Sequence, residues 1–270
     1  AGNSLIDNCI IEYGDVRSNS GIAKYGGGIY ADFSNLTIKN SKVQNNKAEW
    51  GGGIFVSEDE YPGIENCFIY QNYAKEGGGG IYLWNRASSQ IKNCIFQENH
   101  CDGTTYSFYT GGGLGSQSSG SIKILNSTFV NNTSSRTSGQ SIMLYSSTSN
   151  IIINCLVWGN TGNHLYLSGT NTIQYTAVQG SAPSGTGNFS LSANNTDVTG
   201  PNFSDPSISD WSIKFISPCR DAGTTSSPAF LSDYVGNPRI WTYDIGAYEV
   251  QYSRWAGTTN SEWSTTTNWA

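Results

Sequence analysis

The 270-residue sequence contains little of what long helices, nucleic-acid surfaces and membrane spans require. Charged residues make up 13% of the chain, against roughly 25% in an average globular protein. Long helices are rich in Ala, Leu, Glu, Lys and Arg, and the shortage of this mixture favours a β architecture. The net charge of −6 argues against a nucleic-acid partner, which needs a basic patch. No run of eighteen apolar residues is present, so we expect no membrane-spanning segment.

What the chain has in abundance is glycine, with 32 residues, and much of it recurs in runs followed by an aliphatic residue. The clearest copies are Gly26-Gly27-Gly28-Ile29-Tyr30, Gly51-Gly52-Gly53-Ile54-Phe55, Gly78-Gly79-Gly80-Ile81-Tyr82 and Gly111-Gly112-Gly113-Leu114. Decayed copies place Ile142 and Leu165 at the same position, and successive aliphatic residues are 23 to 33 residues apart. Phosphate-binding loops need a Lys after the glycines, so we interpret the runs as tight backbone packing.

A second pattern alternates with the first and reads aliphatic-x-Asn-Cys/Ser-x-apolar-x-x-Asn. Clear copies run from Ile64 to Asn72 and from Ile91 to Asn99, and others from Ile38, Ile124 and Ile152. Each unit then contains two short strands joined by bends. One unit alone cannot bury its apolar face, so the units must stack on one another. The sequence therefore predicts an all-β fold, a single-stranded right-handed parallel β-helix (a solenoid) with an irregular C-terminal cap. A β-sandwich is the alternative.

Both motifs resemble known surface proteins. The Gly-Gly-Gly-aliphatic runs, with Phe96-Gln97-Glu98-Asn99 and Phe129-Val130-Asn131-Asn132, are similar to the repeats of chlamydial polymorphic outer-membrane proteins and of bacterial pectate-lyase-like β-helix proteins. Near the C-terminus, Ser217 to Gly223, Gly236 to Ile240 and Asp244 to Glu249 resemble the end of choice-of-anchor β-helix surface proteins. The resemblance implies a bacterial, secreted or cell-surface location. It implies activity poorly, since β-helices host adhesins, lyases and hydrolases alike.

The domain organisation follows from where the repeats stop. Residues 1–180 are predicted to form the coils, 181–250 a terminal coil and cap, and 251–270 the start of a following surface module. Buried pairs among Asp221, Asp233, Arg239, Asp244 and Glu249 are expected to hold the cap. The first ten residues lack the basic start and apolar run of a signal peptide. We therefore expect a piece that is covalently continuous with further domains in a longer parent protein.

The recurrent Cys and Asn residues are interpreted as structural ladders. Cys9, Cys67, Cys94 and Cys155 share one repeat position, which favours a column of packed free thiols over a metal site. A disulfide between Cys67 and Cys94 is an alternative, and the states of Cys101 and Cys219 stay open. The Asn residues suit bends, where Asn accepts a left-handed conformation and hydrogen-bonds nearby backbone.

The candidate binding residues are the aromatics that follow the aliphatic column, Tyr30, Phe55, Tyr82 and Tyr166. Strand alternation sends them outward along one face. Exposed aromatics in a row suit stacking on an extracellular glycan or contact with a surface protein. Cross-coil stacking that merely stabilises the sheet is the alternative.

No set of residues in the sequence is typical of a catalytic centre, and no cofactor is predicted apart from Ca²⁺ as a weak candidate. The candidate calcium site is the acidic cluster of Glu58, Asp59 and Glu60. A solvated acidic loop is the simpler interpretation of this cluster. We expect a non-enzymatic adhesin or stalk that contacts a glycan or protein along one face. A β-helix polysaccharide lyase or glycoside hydrolase is the first alternative, and a purely structural spacer is the second.

Overall fold

The computed structural model describes residues 3–18, 21–32, 35–57, 62–85, 87–103, 105, 110–135, 141–145, 149–160, 162–226 and 231–251. Over these residues the chain winds into a parallel β-helix whose strands stack into four parallel sheets, which we name A to D. One coil passes through the sheets in the order A, B, C, D where all four strands are present. The predicted fold class is confirmed.

Sheets A and B carry the second sequence motif. Sheet A consists of Asn3–Asp7, Asn35–Lys39, Gly63–Glu65, Ser89–Lys92, Ile122–Leu125, Ser149–Ile153 and Thr170–Gln174. Sheet B consists of Ile10–Glu12, Lys42–Gln44, Phe68–Tyr70, Ile95–Gln97, Thr128–Val130, Leu156–Trp158, Ala177–Gln179 and Phe189–Leu191.

Sheet D carries the glycine-run motif, and sheet C lies between B and D. Sheet C consists of Lys47–Trp50, Tyr73–Gly77, His100–Cys101 and Thr133–Ser134. Sheet D consists of Ile29–Asp32, Ile54–Ser57, Ile81–Asn85, Leu114–Ser118, Ile142–Tyr145 and Leu165–Leu167. The remaining elements are the antiparallel strands Phe203–Asp205 and Asp210–Ile213 and the 3₁₀-helices Gly21–Lys24 and Pro206–Ile208.

The register of sheet D confirms the predicted column of aliphatic residues. Ile29 pairs with Ile54, Ile54 with Ile81, and the column continues through Leu114 and Ile142 to Leu165. Ile54 and Ile81 are fully buried in the central core. Each coil thus covers the apolar side chains of its neighbours, which is the source of stability in a solenoid.

The glycine runs allow adjacent coils to approach closely. Gly51 has a φ of +64°, and a Cβ on Gly52 would lie 2.3 Å from the carbonyl oxygen of Tyr73 and 2.4 Å from that of Gly79. Any larger residue at position 52 would therefore clash with backbone on two sides. The runs are structural, as expected from their sequence context.

The Asn residues form two ladders. Asn40, Asn66 and Asn93 turn the chain with φ between 50° and 52°, and their side chains are linked from coil to coil. The second ladder is buried and consists of Asn46, Asn72, Asn99, Asn132 and Asn160. Its side chains bridge successive coils, as the bond from Asn72 Nδ2 to Asn99 Oδ1 illustrates at 3.0 Å. The buried ladder also satisfies backbone groups that would otherwise lack partners, since Asn72 accepts from Asn46 N and donates to Val43 O.

The repeat-position cysteines also form a column. Cys67, Cys94 and Cys155 are buried in the central core, whereas Cys9 is exposed in the first coil. All six cysteines are free, including the buried Cys101 and Cys219.

The C-terminal segment does more than close the end of the coils. Phe189–Leu191 adds a last strand to sheet B, and the chain then folds back along the outer face of that sheet. Trp211 Nε1 donates to Gln97 Oε1 at 2.7 Å, and Ala247 N donates to Thr128 Oγ1 at 2.9 Å. A second hydrophobic core, which includes Ile95, Val130, Leu156, Phe203 and Ile245, fills the space between. The predicted following module lies outside the described residues from position 252 onward.

A buried ionic cluster fixes this folded-back segment. Arg239 Nη1 lies 3.1 Å from Glu249 Oε2, and the two side chains are 0% and 1% exposed. Arg239 Nη2 also donates to Asn93 Oδ1 of the coils at 2.9 Å. The Asp244 carboxylate accepts the backbone N–H groups of Asp221 and Val250. These contacts join the segment to the coils. They engage the guanidinium and carboxylate groups of the cluster in structural interactions, which indicates a structural role.

Candidate ligand-binding cleft

The predicted aromatic row follows the register of sheet D. Tyr30 pairs with Phe55, Phe55 with Tyr82, and Met143 with Tyr166. The expected exposure is wrong for two of the four: Phe55 and Tyr82 are each 1% exposed, and Tyr166 is partly buried, whereas Tyr30 is 37% exposed. The row is therefore no open platform, and its binding role stays a prediction.

Aromatic residues from outside the row cover Phe55 and Tyr82. The Tyr25 ring stacks on Phe55 with centroids 4.5 Å apart, and the Trp50 ring packs on Tyr82 at 5.1 Å. Trp84 contacts Phe55 edge-on at 6.0 Å. Such pairs gain stability beyond their buried area, so the row forms the floor of an aromatic cluster.

The cluster encloses a cleft of about 340 Å³, which lies in the range of small-molecule sites. We call it the aromatic cleft, and its lining residues are Lys24, Tyr25, Glu49, Trp50, Phe55, Tyr82, Trp84 and Gln117. Sheet D supplies Phe55, Tyr82 and Trp84, and sheet C supplies Glu49 and Trp50. Trp84 is 38% exposed, so part of its ring is accessible to a ligand.

Glycine positions make room for this arrangement. Gly77 pairs with Trp50 in sheet C, and a Cβ on Gly77 would lie 2.7 Å from the Trp50 ring and 2.8 Å from the Tyr82 ring. In the next coil Gly115 stands beside Tyr82, where a larger side chain would continue the aromatic row. The cleft thus depends on two small residues at its edges.

The polar groups of the cleft include one ion pair and one amide, besides the tyrosine hydroxyl and tryptophan N–H groups of its rings. Lys24 Nζ lies 3.0 Å from Glu49 Oε1, and the side chains are 28% and 22% exposed. Lys24 Nζ also lies 5.5 Å from the centroid of the Tyr25 ring. Gln117 pairs with Trp84 across the coils. The charges cancel within the cleft, and both carboxylate and amide groups are suited to hydrogen bonds with hydroxyl groups.

A shallower groove continues from the cleft along the coils. It measures about 410 Å³ and shares Trp84 and Gln117 with the cleft, adding Asn85, Ser118, Ser119, Tyr145 and Ser168. Tyr145 is 44% exposed. It pairs with Gln117, which in turn pairs with Trp84, so Tyr145 lies two coils from Trp84. At the usual spacing between strands, two coils correspond to about 10 Å. We call this the side groove. Cleft and groove together form a track parallel to the long axis.

Sequence reasoning missed Tyr25, Trp50 and Trp84. Tyr25 and Trp50 each directly precede a glycine run and form a bridge with each other, so their shared repeat position was a usable signal. Trp84 is the second outward residue of its strand, two positions after Tyr82 in the aromatic row. These three residues, rather than Tyr166, complete the site around Phe55 and Tyr82.

The predicted calcium site cannot be placed, because Glu58, Asp59 and Glu60 lie outside the described residues. Within the part of the chain that the structure describes, no group of three or more His, Cys, Asp or Glu side chains is arranged to hold a metal ion. Over the same residues, no helix is long and apolar enough to cross a membrane.

A second polar cluster lies on the outer face of sheet C. His100 Nδ1 is 2.7 Å from Thr133 Oγ1, and His100 Nε2 is 2.8 Å from Asp102 Oδ1. Tyr73 donates its hydroxyl to the same carboxylate. Burial raises the pKa of Asp102, but the hydrogen bonds from Tyr73 and His100 outweigh it and hold that pKa below its usual range. The ionised carboxylate therefore favours a proton on Nε2 and leaves Nδ1 to accept from Thr133.

A hydroxyl, an imidazole and a carboxylate in this order can activate a nucleophile. Acyl transfer also needs N–H groups directed at a developing oxyanion. Here the N–H groups of His100 and Thr133 donate to Asn72 O and Asn99 O of the preceding coils, each at 2.9 Å. Both amides are thus occupied, and the geometry fits a polar link between coils better than a hydrolytic centre.

Comparison with known proteins supports the fold. The model of the family described as "Right handed beta helix region" matches residues 1–133, which cover the coils that build the aromatic cleft. A search of curated proteins gave no match.

Proposed function

We propose that the chain is a non-enzymatic glycan-binding β-helix domain, which holds a sugar in the aromatic cleft and extends the contact along the side groove. One observation carries the proposal: an aromatic cleft that is lined by the partly exposed Trp84 and by polar groups. Sugar rings present C–H faces that pack on aromatic rings and hydroxyl groups that pair with amides and carboxylates.

The charges of the cleft favour a neutral glycan. A uronate or sialate brings a carboxylate that needs a cation, and the lysine of the cleft is already paired with Glu49. Displacing that pair to bind an acidic sugar costs the Lys24–Glu49 interaction. Neutral hexoses need no such exchange, because their hydroxyl groups can bond to either partner of the pair.

The side groove favours a chain of sugars over a single one. Trp84 and Tyr145 both expose their rings and lie on the same outer face with Gln117 between them. A linear oligosaccharide along the long axis can contact both rings. Several weak contacts of this kind add to a useful affinity without a deep pocket.

We further propose a secreted or cell-surface location and a role as an adhesin or stalk in a larger bacterial protein. The support is a solenoid whose stacked coils present a long lateral surface, and the adhesin role rests on the glycan binding proposed above. A purely structural spacer is the second candidate, because the rings of Tyr25 and Trp50 cover Phe55 and Tyr82 and stabilise the stacked coils.

The test is a binding screen of the purified 270-residue chain against an array of neutral and uronate-containing oligosaccharides. We expect neutral linear glycans to bind, and Trp84→Ala to abolish that binding. Trp241→Ala is the matched control, because Trp241 is also exposed, at 71%, and does not line the cleft. Equal loss in both variants, or no binding by the native chain to any glycan, would refute the proposal.

A further inference from the structure

Two buried thiols of the central core lie in neighbouring coils. Cys67 and Cys94 occupy equivalent bends, and the residues on both sides of them are in register: Glu65 pairs with Lys92 and Phe68 with Ile95. The bend residues Asn66 and Asn93 are also joined by a side-chain hydrogen bond of 3.1 Å. The two cysteines therefore lie at one level of adjacent coils.

This placement brings the two Cα atoms into the distance range of a disulfide. Neighbouring strands lie about 4.8 Å apart, and disulfides join Cα atoms that are about 4.4–6.8 Å apart. Both side chains are fully buried in the central core. Their thiols make equivalent contacts, since Cys67 Sγ donates to Glu65 O at 3.2 Å and Cys94 Sγ donates to Lys92 O at 3.1 Å.

The pair is unique within the cysteine column of the described coils. In coil order the column reads Cys9, Ser41, Cys67, Cys94, Ser127, Cys155, Thr176. Ser41 separates Cys67 from Cys9, and Ser127 separates Cys94 from Cys155. Cys94 N donates to Ser127 Oγ at 3.1 Å, so hydroxyl groups fill the same position without strain.

We infer that Cys67 and Cys94 form a disulfide that links two adjacent coils when the chain folds in an oxidising medium. The reaction is thiol–disulfide exchange with a small disulfide such as oxidised glutathione. One cysteine thiolate attacks a glutathione sulfur and releases one glutathione thiol; the second cysteine then attacks the mixed disulfide and releases the other. Two protons leave the cysteines, and the two electrons reduce the glutathione disulfide.

Burial determines when this bond can form. Both sulfur atoms are inaccessible in the folded chain, and Tyr234 of the folded-back segment lies near them. Exchange must therefore occur during folding, before the core closes. For the same reason the finished bond should resist reductants as long as the coils stay folded.

The experiment counts thiols after refolding. A Cys9→Ser variant, chosen because Cys9 is exposed and can link two molecules, is unfolded and refolded either with reduced and oxidised glutathione or with a reductant alone. Each product is then unfolded, alkylated with iodoacetamide and weighed by mass spectrometry. We expect three alkylated cysteines after oxidative refolding and five after reductive refolding, with a peptide that contains Cys67 joined to Cys94.

Two further variants in the same background separate this pair from the rest. Cys155→Ser should retain the cross-link, and Cys67→Ser should show every remaining thiol alkylated. Serine at position 67 is compatible with the fold because Ser41 and Ser127 occupy the same column. The oxidised protein should also melt several degrees higher than the reduced one, a difference that Cys67→Ser abolishes. Five alkylated cysteines after oxidative refolding, or a cross-link between other positions, would overturn the inference.

Discussion

Replacing Asn72 by Ala tests how the buried ladder holds the coils together. The Asn72 side chain accepts from Asn46 N at 3.0 Å and from Asn46 Nδ2 at 3.1 Å. Its Nδ2 donates to Val43 O at 2.8 Å and to Asn99 Oδ1 at 3.0 Å. One side chain thus serves the coil before it and the coil after it.

The magnitude follows from the groups left without partners. Asn72 is 1% exposed, so water does not reach the Asn46 N–H or the Val43 carbonyl when the side chain is removed. Each unsatisfied buried group costs about 1–3 kcal/mol, which gives about 2–6 kcal/mol for these two backbone groups together. That is a large share of the roughly 5–15 kcal/mol by which domains are usually stable.

The assay is unfolding in urea followed by far-ultraviolet circular dichroism, with the change read from the midpoint at constant slope. Asn72→Asp should also destabilise the chain, because a carboxylate cannot donate to Val43 O. Asn163→Ala is the control, since Asn163 is exposed and surface changes usually stay within about 0.5 kcal/mol. A loss below about 1 kcal/mol for Asn72→Ala would mean that adjacent coils do not depend on the ladder, and that water or a local shift satisfies the two backbone groups.

The remaining predictions concern the cleft and the folded-back segment. Gly77→Ala should displace Trp50, lower glycan affinity at least tenfold and destabilise the chain by about 1–3 kcal/mol through overpacking; unchanged calorimetric affinity would contradict it. Arg239→Ala, measured in urea at pH 8, should cost about 3–5 kcal/mol because it leaves Glu249 buried without its cation, and a loss near zero would show that the pair is not needed. Burial raises the pKa of Asp244 to about 6 and that of Glu249 to about 7. The folded state then binds more protons than the unfolded state, so stability should fall as the pH rises from about 4 to 7, and a urea midpoint that rises over this interval would refute the assignment.

The coil interior was predictable because the sequence repeats it. The glycine runs fix one bend of each coil and the Asn-Cys/Ser motif fixes another, so Ile29, Ile54 and Ile81 had to fall into one column once the units were stacked. Period-two alternation then gave the direction of each side chain relative to its own strand. These inferences needed only neighbours one repeat apart.

The exposure of the aromatic row was not predictable from alternation, because a side chain that points out of its own sheet can still be covered by another. Tyr25 and Trp50 share a repeat position directly before the glycine runs. The short strands of sheet C, which place Trp50 over Tyr82, nevertheless have no strong sequence signal. The folded-back segment is a second case. Its contact between Trp211 and Gln97 spans 114 residues and follows no repeat.

The aromatic cleft is, in our proposal, the place where this β-helix meets its ligand. The most direct measurement is a crystal structure of the chain soaked with a neutral oligosaccharide selected on the array. We expect a sugar ring against the exposed face of Trp84, with the next units directed along the side groove toward Tyr145. A well-ordered oligosaccharide bound elsewhere on the coils, with the aromatic cleft empty, would contradict the proposal.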